Sequence, residues 1–340
     1  MNPAQPKLLT GDRPTGRLHL GHFFGSLQSR VHLQDQHHSF ILIADVQALT
    51  DNFHHPEKVS QNVLEVLKDN LAVGLSPEKC TFVLQSQVPE IAELTVFFSN
   101  LVTVSRLQQN PTVRHEIRQK QALFGESVTY GFLGYPISQA ADITVFQAEV
   151  VPVGEDQLPI IEQTRELVRT FNRHYGEVLK EPRALLSSHS RIKGLDGQQK
   201  MGKSLGNAIF LADSSADTEK KVMQAVTDPH KIRKNDPGRP DICTVYTYHA
   251  LFQPDHLQTV YQECNSGTRG CVMCKRELAA CINAALQPIR EHRSQLDEQE
   301  STLIEMLLDH TEVARSTSRE TLKATRKGMH LLLPRGPGSI

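Results

Sequence analysis

The sequence predicts an α/β protein, with a doubly wound, parallel-sheet (Rossmann-like) domain followed by a smaller all-α domain. Short apolar runs, of which Phe40–Ala44 (FILIA) is the clearest, alternate with longer segments whose apolar residues recur at helical spacing, as between Val59 and Leu71. Short apolar runs are typical of buried parallel strands, and their alternation with helices is typical of a doubly wound sheet. After Ser214 the segments become polar and helical, which indicates a separate helical domain.

The length of 340 residues is enough for two domains. Basic and acidic residues are balanced, at 37 and 38, so the total charge does not indicate a nucleic-acid partner. The sequence shows no secretory signal and no apolar run of membrane-spanning length. We therefore expect a cytoplasmic protein without a membrane or DNA partner. The expected divisions are an α/β domain at residues 1–213, a helical domain at 214–312, a helix at 313–333 that returns to the α/β domain, and a disordered tail at 334–340.

The elements of the first domain can be placed in order. The first strand ends near Leu9, and a loop broken by glycine and proline leads into a helix that begins at Gly21. After the second strand, Phe40–Ala44, a helix begins at Pro56 and ends before Gly74. The later elements are a strand at Thr81–Leu84, a helix from Pro89, an apolar helix that runs to Ile143, a strand over Glu149–Val153 and a helix that ends at Gly176.

The loop after the first strand carries His19, Gly21 and His22 in the pattern HLGH. A helix N-terminus presents free backbone N–H groups and about half a positive charge, so it attracts anions. Two imidazoles one turn apart add donors that can reach a triphosphate, and Gly21 allows a flat ring to lie against bare backbone. This stretch therefore predicts a nucleotide site.

A second motif, KMGKS at Lys200–Ser204, lies in a polar, Gly-rich segment that has the composition of a mobile loop. Lys200 and Lys203 are suited to meet phosphates there. Taken alone, the segment could equally be an exposed basic turn.

Asp142 lies among Ala140, Ala141 and Ile143 on a helix that is otherwise suited to burial. A buried carboxylate is costly unless it is paired. It could be held by a partner that merely ties two elements together, or it could be a hydrogen-bond acceptor at the bottom of an amino-acid pocket. The strand Glu149–Val153 and the sequence GEDQ, which ends at Gln157, follow this helix directly in the chain.

Together these motifs resemble the signatures of the class I aminoacyl-tRNA synthetases, HIGH and KMSKS. The stretches GDRPTGRLHLGH, NPTV, AAD, PVGEDQ and KMGKSLGNAI resemble the tryptophanyl-tRNA synthetases, and the resemblance spans residues 7 to 330. It departs from the family at Gly202, where a serine is usual, which removes one hydroxyl and gives the backbone of the loop more freedom.

The resemblance implies a ligase that activates tryptophan with ATP and Mg²⁺ and transfers it to the 2′-hydroxyl of the terminal adenosine of tRNA(Trp). It implies a homodimer, whose interface the region of Phe97, Phe98 and Leu101 could supply. The implied catalytic residues are His19, His22, Lys200 and Lys203. The implied ATP-binding residues are Arg13, Thr15, Gly21, His22, Gly154, Asp156, Lys200, Met201, Lys203 and Ser204. The implied tryptophan-binding residues are Gln47, Gln139, Asp142, Val151, Val153 and Gln157.

Four cysteines in the helical region, Cys243, Cys264, Cys271 and Cys274, include one C-x-x-C pair. Because cytosolic thiols stay reduced, a four-thiolate metal site is favoured over disulfides. The spacing resembles a [4Fe–4S] pattern of some bacterial tryptophanyl-tRNA synthetases, zinc would accept the same ligands, and the thiols could also be unliganded.

Two other functions remain open at this point. A tyrosine-specific synthetase is disfavoured by the AAD and GEDQ stretches. A catalytically idle, regulatory paralogue is disfavoured because His19, His22, Lys200 and Lys203 are all present.

Overall fold

The computed structural model describes residues 5–120, 123, 127–186, 192–197, 200–203 and 205–331. Its centre is a five-stranded sheet in the order β3-β2-β1-β4-β5, and every neighbouring pair of strands is parallel. The α/β prediction is therefore confirmed. The strands are β1 (Lys7–Asp12), β2 (His38–Ile43), β3 (Cys80–Leu84), β4 (Val150–Val153) and β5 (Arg183–Leu186).

Helices cover both faces of this sheet because β2 is apolar on both sides. Ile41 and Ile43 point into one buried cluster with Leu67 and Phe82, whereas Phe40 and Leu42 point into another on the opposite face. The side-chain period of two in a strand produces this division. The result is the doubly wound arrangement that the run FILIA predicts.

The helices of the α/β part are α1 (Leu20–His22), α2 (Gln28–Leu33), α3 (Asp45–Ala48), α4 (Pro56–Ala72), α5 (Pro89–Ser99), α6 (Val104–Gln109), α7 (Pro111–Gln119), α8 (Tyr130–Val145) and α9 (Leu158–Tyr175). A π-helical turn, Phe23–Leu27, joins α1 to α2, so the predicted helix from Gly21 is one segment with an irregular middle. The remaining helices are α10 (Ser215–Gln224), α11 (Thr244–Phe252), α12 (Leu257–Asn265), α13 (Cys271–Asp297) and α14 (Glu300–Gly328).

Helix α14 covers the edge strand β3. The backbone N–H of Phe82 donates to His310 Nδ1 at 3.4 Å, and that of Leu84 donates to Thr311 Oγ1 at 3.0 Å. Unpaired groups at a sheet edge can pair with another chain, so these side chains take the place of a sixth strand. The limit expected between residues 312 and 313 falls inside this continuous helix.

A buried ion pair joins α13 to the α/β part. Arg293 Nη1 contacts Asp69, at the end of α4, at 2.5 Å, and both side chains are buried. Asp69 Oδ2 in turn accepts the backbone N–H of Leu18 at 2.7 Å. Helix α13 is therefore connected through two contacts to the loop that carries His19.

Candidate functional site

A cavity of about 350 Å³ opens at the carboxyl ends of β1 and β4. β1 lies between β2 and β4, so this is the point at which the strand order reverses, where doubly wound folds bind ligands. Residues from many separate strands, helices and loops line it, which is why it could not be located from one stretch of sequence. Among its lining residues are Arg13, Gln47, Gln139, Asp142, Val151, Val153, Gly154 and Gln157.

His19 and His22 lie side by side at the start of α1, with ring centroids 3.9 Å apart. The backbone N–H of Gly21 donates to His19 Nδ1 at 3.1 Å, and the backbone N–H of His19 donates to His22 Nδ1 at 3.2 Å. Because each Nδ1 is an acceptor, each neutral ring carries its proton on Nε2. A side chain at Gly21 would place its Cβ 2.8 Å from the His19 ring, so the spacing HLGH depends on that glycine.

Both imidazoles are neutral in this environment. Burial, together with the charges of Lys203 and Lys200, lowers the pKa of His19 to about 3. Burial, His19 and Lys203 hold the pKa of His22 well below its ordinary value. The two rings therefore act as hydrogen-bond donors through Nε2 and do not supply positive charge.

The loop of His19 is held against the segment that follows KMGKS. Leu20 donates its N–H to the carbonyl of Ile209 at 3.0 Å, and Leu211 donates to the carbonyl of Leu18 at 2.9 Å. Two motifs that are distant in sequence are thereby fixed next to each other.

Lys203 reaches directly into the first motif. Its Nζ donates to the carbonyl of Gly16 at 2.6 Å and to that of Arg13 at 3.4 Å. Burial lowers the pKa of Lys203 to about 8, although Asp12 and Asp69 oppose the shift. Lys200 is exposed and pairs with Asp156 at 3.4 Å. Met201 is buried, and Ser204 lies outside the described residues.

Below this loop, Asp12 and Arg30 form a buried pair. Arg30 Nη1 contacts Asp12 Oδ2 at 2.6 Å, and Arg30 Nη2 donates to the carbonyl of Gly11 at 3.2 Å. Burial disfavours the ionised carboxylate, but the charge and hydrogen bonds of Arg30 outweigh this and lower the pKa of Asp12 to about 2. The pair fixes the end of β1 where the loop begins.

Arg13 continues from this point into the cavity. It pairs with Asp51, which also pairs with Lys120. Asp51 was not singled out from the sequence, although it lies between α3 and α4, in the segment that follows the carboxyl end of β2, where ligands are expected. Thr15 lies in the same loop as Arg13, and its N–H donates to the Arg13 carbonyl at 2.8 Å.

Asp142 is almost fully buried on α8 and lines the cavity. Gln85, which follows β3, donates from Nε2 to Asp142 Oδ1 at 2.8 Å. Burial raises the pKa of Asp142 to about 7, with Gln85 opposing the shift and Asp45 adding to it. The carboxylate thus has a protein partner on one oxygen, as the first interpretation of Asp142 expects, and it also lines the cavity, where its role as an acceptor for an amino acid stays a prediction.

Sequence reasoning missed Asn207, which organises the KMGKS loop. Its Oδ1 accepts the N–H of Gly202 at 3.0 Å, its Nδ2 donates to Asp196 at 2.9 Å, and its carbonyl accepts the N–H of Leu195 at 2.9 Å. The stretch KMGKSLGNAI contains it, but only the lysines in that stretch had an evident chemical role.

All four cysteines of the helical region are free thiols. Burial raises the pKa of Cys264, and the nearby Cys243 and Cys271 add to the effect. Cys274 Sγ also lies 3.2 Å from His249 Nε2. Within the part of the chain that the structure describes, however, no three His, Cys, Asp or Glu side chains are arranged as a metal site.

The apolar region expected to form an interface is partly internal. Phe98 is fully buried and packs against Phe171 in the core, so it is not available to a second subunit. The exposed apolar side chains nearby are instead Val46, Phe53, Val96, Val104 and Tyr130. None of the described helices is both long and apolar enough to cross a membrane.

Comparison with known proteins places this site in a family. The family described as tRNA synthetases class I (W and Y) matches residues 1–287. A tryptophan–tRNA ligase from Clostridium longisporum is 49% identical over 331 residues, which cover 95% of this chain and 96% of the relative. One from Streptococcus mutans is 46% identical over 336 residues, with 96% and 98% coverage.

A solved structure has the same architecture. The tryptophanyl-tRNA synthetase from Campylobacter jejuni, complexed with ADP and tryptophan, matches with a TM-score of 0.84 and 29% identity, covering 95% of this chain and 99% of that one. The chain therefore belongs to the tRNA synthetases class I (W and Y) and, within them, to the tryptophan–tRNA ligases.

Proposed function

We propose that the chain activates L-tryptophan with ATP, forming tryptophanyl adenylate and pyrophosphate, and then transfers the tryptophanyl group to the 2′-hydroxyl of the terminal adenosine of tRNA(Trp). The observation that carries this proposal is the contact of Lys203 with the carbonyl of Gly16 at 2.6 Å. Lys203 thereby joins the two motifs beside Arg13, whose carbonyl it also contacts, and Arg13 and the buried Asp142 line the same cavity.

ATP would lie over the start of α1. The Nε2–H groups of His19 and His22 would donate to phosphate oxygens, and Gly21 would leave room for the nucleoside. Neutral imidazoles suit this role, because they donate hydrogen bonds without a protonation step. The remaining residues proposed to surround the nucleotide are Arg13, Thr15, Gly154, Asp156, Met201 and Ser204.

Lys200 and Lys203 would act on the departing pyrophosphate. In the structure they contact Asp156 and the carbonyls of the Gly16 loop, so both must exchange these partners for phosphate oxygens. A lysine that makes this exchange as charge develops on the leaving group lowers the barrier more than it tightens ground-state binding. Mg²⁺ bound with ATP would neutralise part of the phosphate charge.

Tryptophan would occupy the inner part of the cavity. Asp142 would accept the indole N–H, and Val151 and Val153 would contact the ring. Gln47, Gln139 and Gln157 would bind the ammonium and carboxylate groups. The attack of the substrate carboxylate on the α-phosphorus needs no nucleophile from the protein, so the residues supply position and electrostatics.

We also propose a homodimer. A groove of about 460 Å³ is lined by apolar residues that include Val46, Phe53, Tyr130 and Ile137, and three of these are exposed. Exposed apolar surface of this kind marks an interaction site. The groove adjoins the tryptophan cavity through Gln47 and Tyr135, so a second subunit would close its outer wall.

The helical region, residues 214–312, would approach the tRNA anticodon. We also propose that the protein acts in the cytoplasm.

For the four cysteines we propose a [4Fe–4S] cluster bound by Cys243, Cys264, Cys271 and Cys274, with zinc as the alternative. Neighbouring cysteines contribute to the raised pKa values of Cys264 and Cys274, but the described side chains are not arranged as a metal site, so binding a cluster would require the four thiols to rearrange. Iron, zinc and sulfide analysis of anaerobically purified protein tests this, and protein without either metal would mean unliganded thiols.

The function is tested by amino-acid-dependent ATP–pyrophosphate exchange with all twenty amino acids, on protein purified with and without air. We expect exchange with tryptophan. Exchange with tyrosine would overturn the role of Asp142. The absence of exchange, together with tRNA binding that is unaffected by His22→Ala, would identify a regulatory paralogue.

A further inference from the structure

Gln85 holds Asp142 in one orientation. It is buried in the short 3-10 turn Gln85–Gln87 that follows β3. Its Nε2 donates to Asp142 Oδ1 at 2.8 Å, while its Oε1 accepts the backbone N–H of Gln47 at 2.9 Å. Since an oxygen must face the Gln47 N–H, the amide cannot rotate, and an N–H must face Asp142. The orientation of the amide is thus fixed by a backbone group.

The fixed donor matters because Asp142 can exist in two forms with opposite hydrogen-bonding properties. As a carboxylate it only accepts hydrogen bonds, whereas as a carboxylic acid it can also donate one. Burial raises its pKa to about 7, so both forms are accessible near neutral pH. A hydrogen bond to the charged form favours that form, and Gln85 provides it.

A charged group near Asp142 has the opposite effect to Gln85 on the pKa of Asp142. Asp45, at the start of α3, is the charged group that raises the pKa of Asp142 further. Its Oδ1 is itself held by the N–H groups of Ser86 at 2.9 Å and Val46 at 3.0 Å. These two contacts hold the Asp45 side chain in place. Gln85 is the neighbour that favours the carboxylate form of Asp142.

An indole N–H needs an acceptor, and the phenol hydroxyl of tyrosine can bind either an acceptor or a donor. We propose that Gln85 is a positioning residue for specificity, which keeps Asp142 an acceptor with one oxygen occupied and the other free for the indole N–H. This inference rests on the proposed contact between Asp142 and tryptophan. It adds a residue outside the signature motifs to the machinery that separates tryptophan from its competitors.

The test compares tryptophan with benzothienylalanine, in which sulfur replaces the indole N–H. The ratio of their kcat/KM values in ATP–pyrophosphate exchange isolates that one hydrogen bond. In the wild type we expect the ratio to fall as the pH decreases through about 7. In Gln85→Met the fall should move about one unit higher in pH, and the ratio at neutral pH should drop roughly tenfold. Raising the pH should restore it, and tyrosine activation should increase at neutral pH.

Three further variants make the outcomes distinct. Gln85→Leu has a similar volume and removes the donor without adding a charge, so it should behave like Gln85→Met if the latter folds poorly. Gln87→Met, on the exposed part of the same turn, should match the wild type. An equal loss of kcat/KM for both substrates in the Gln85 variants, at an unchanged pH midpoint, would overturn the inference. A wild-type ratio that does not change with pH or in Asp142→Asn would instead reject Asp142 as the indole partner, and with it the proposed pocket.

Discussion

The backbone N–H of Gly202 donates to the side-chain oxygen of Asn207 at 3.0 Å. The side-chain Nδ2 of Asn207 also donates to Asp196 at 2.9 Å. The Asn207 side chain thus connects the two ends of the loop that presents Lys200 and Lys203. A Cβ at Gly202 would lie 3.1 Å from Cδ1 of the exposed Leu205, which would have to shift by a few tenths of an ångström. The loop is therefore shaped by Asn207 around a residue without a side chain.

Asn207→Asp tests this role. The substitution keeps the acceptor for Gly202 but places a carboxylate where Nδ2 contacted Asp196, so the two acids repel each other. We expect kcat for ATP–pyrophosphate exchange to fall roughly tenfold or more, from the loss of one hydrogen bond and the added repulsion, with KM for tryptophan unchanged. Acidic pH should restore part of the rate in Asn207→Asp and none in Asn207→Ala, and equal pH profiles would contradict the assignment.

Lys203→Arg tests the charge of the loop lysine. The pKa of Lys203 is lowered to about 8 by burial, so the free enzyme loses this charge as the pH rises through that value. We expect kcat/KM for ATP, which reports the free enzyme, to decrease above about pH 8. The arginine variant should lack this decrease, because its guanidinium remains charged. A decrease that persists in Lys203→Arg would assign it to another group.

Substitutions of His22 separate donation of a hydrogen bond from positive charge. His22→Ala should lower kcat for activation by roughly 10²-fold, the effect of removing one preorganised donor. His22→Gln restores an N–H at a similar distance and should recover part of the loss, although it is uncharged. Recovery by His22→Lys but not by His22→Gln in the same exchange assay would show that charge is what matters.

Asp142→Asn should increase the free energy of unfolding although it impairs the activation of tryptophan. The folded state raises the pKa of Asp142 from 3.8 to about 7, so its contribution to stability is present below about pH 4 and is lost as the pH rises through about 7. We expect the asparagine variant to gain about 2–4 kcal/mol in the free energy of unfolding at pH 8, measured by urea denaturation. Near pH 4 the gain should vanish, and a gain independent of pH would mean that ionisation is not the cause.

The sequence predicts those strands and helices that form because of the properties of their own residues. The run FILIA forms β2, and Pro56 and Pro89 begin helices α4 and α5, because burial and the fixed φ of proline act on the residues themselves. The strand Arg183–Leu186 was missed because its sequence, RALL, lacks the β-branched residues that mark β4, whose sequence is VVPV.

The site shows the same division. The histidines, lysines and Asp142 carry recognisable chemistry in their motifs. Gln85 and Asn207 are ordinary amides whose importance arises from contacts that only the folded chain creates. Phe98 was misjudged for the same reason, because an apolar helix can face either the core or a partner, and only the packing of α9 decides.

The closure of the sheet edge by α14 sets an order of events during synthesis. Phe82 and His310 are 228 residues apart in the chain, so β3 leaves the ribosome long before the helix that covers it. At typical rates of translation the edge of β3 stays open for roughly 10 to 45 seconds. During that interval the unpaired backbone groups of β3 can pair with other nascent chains on the same messenger RNA. In chains that terminate before α14, this edge would stay open to such pairing.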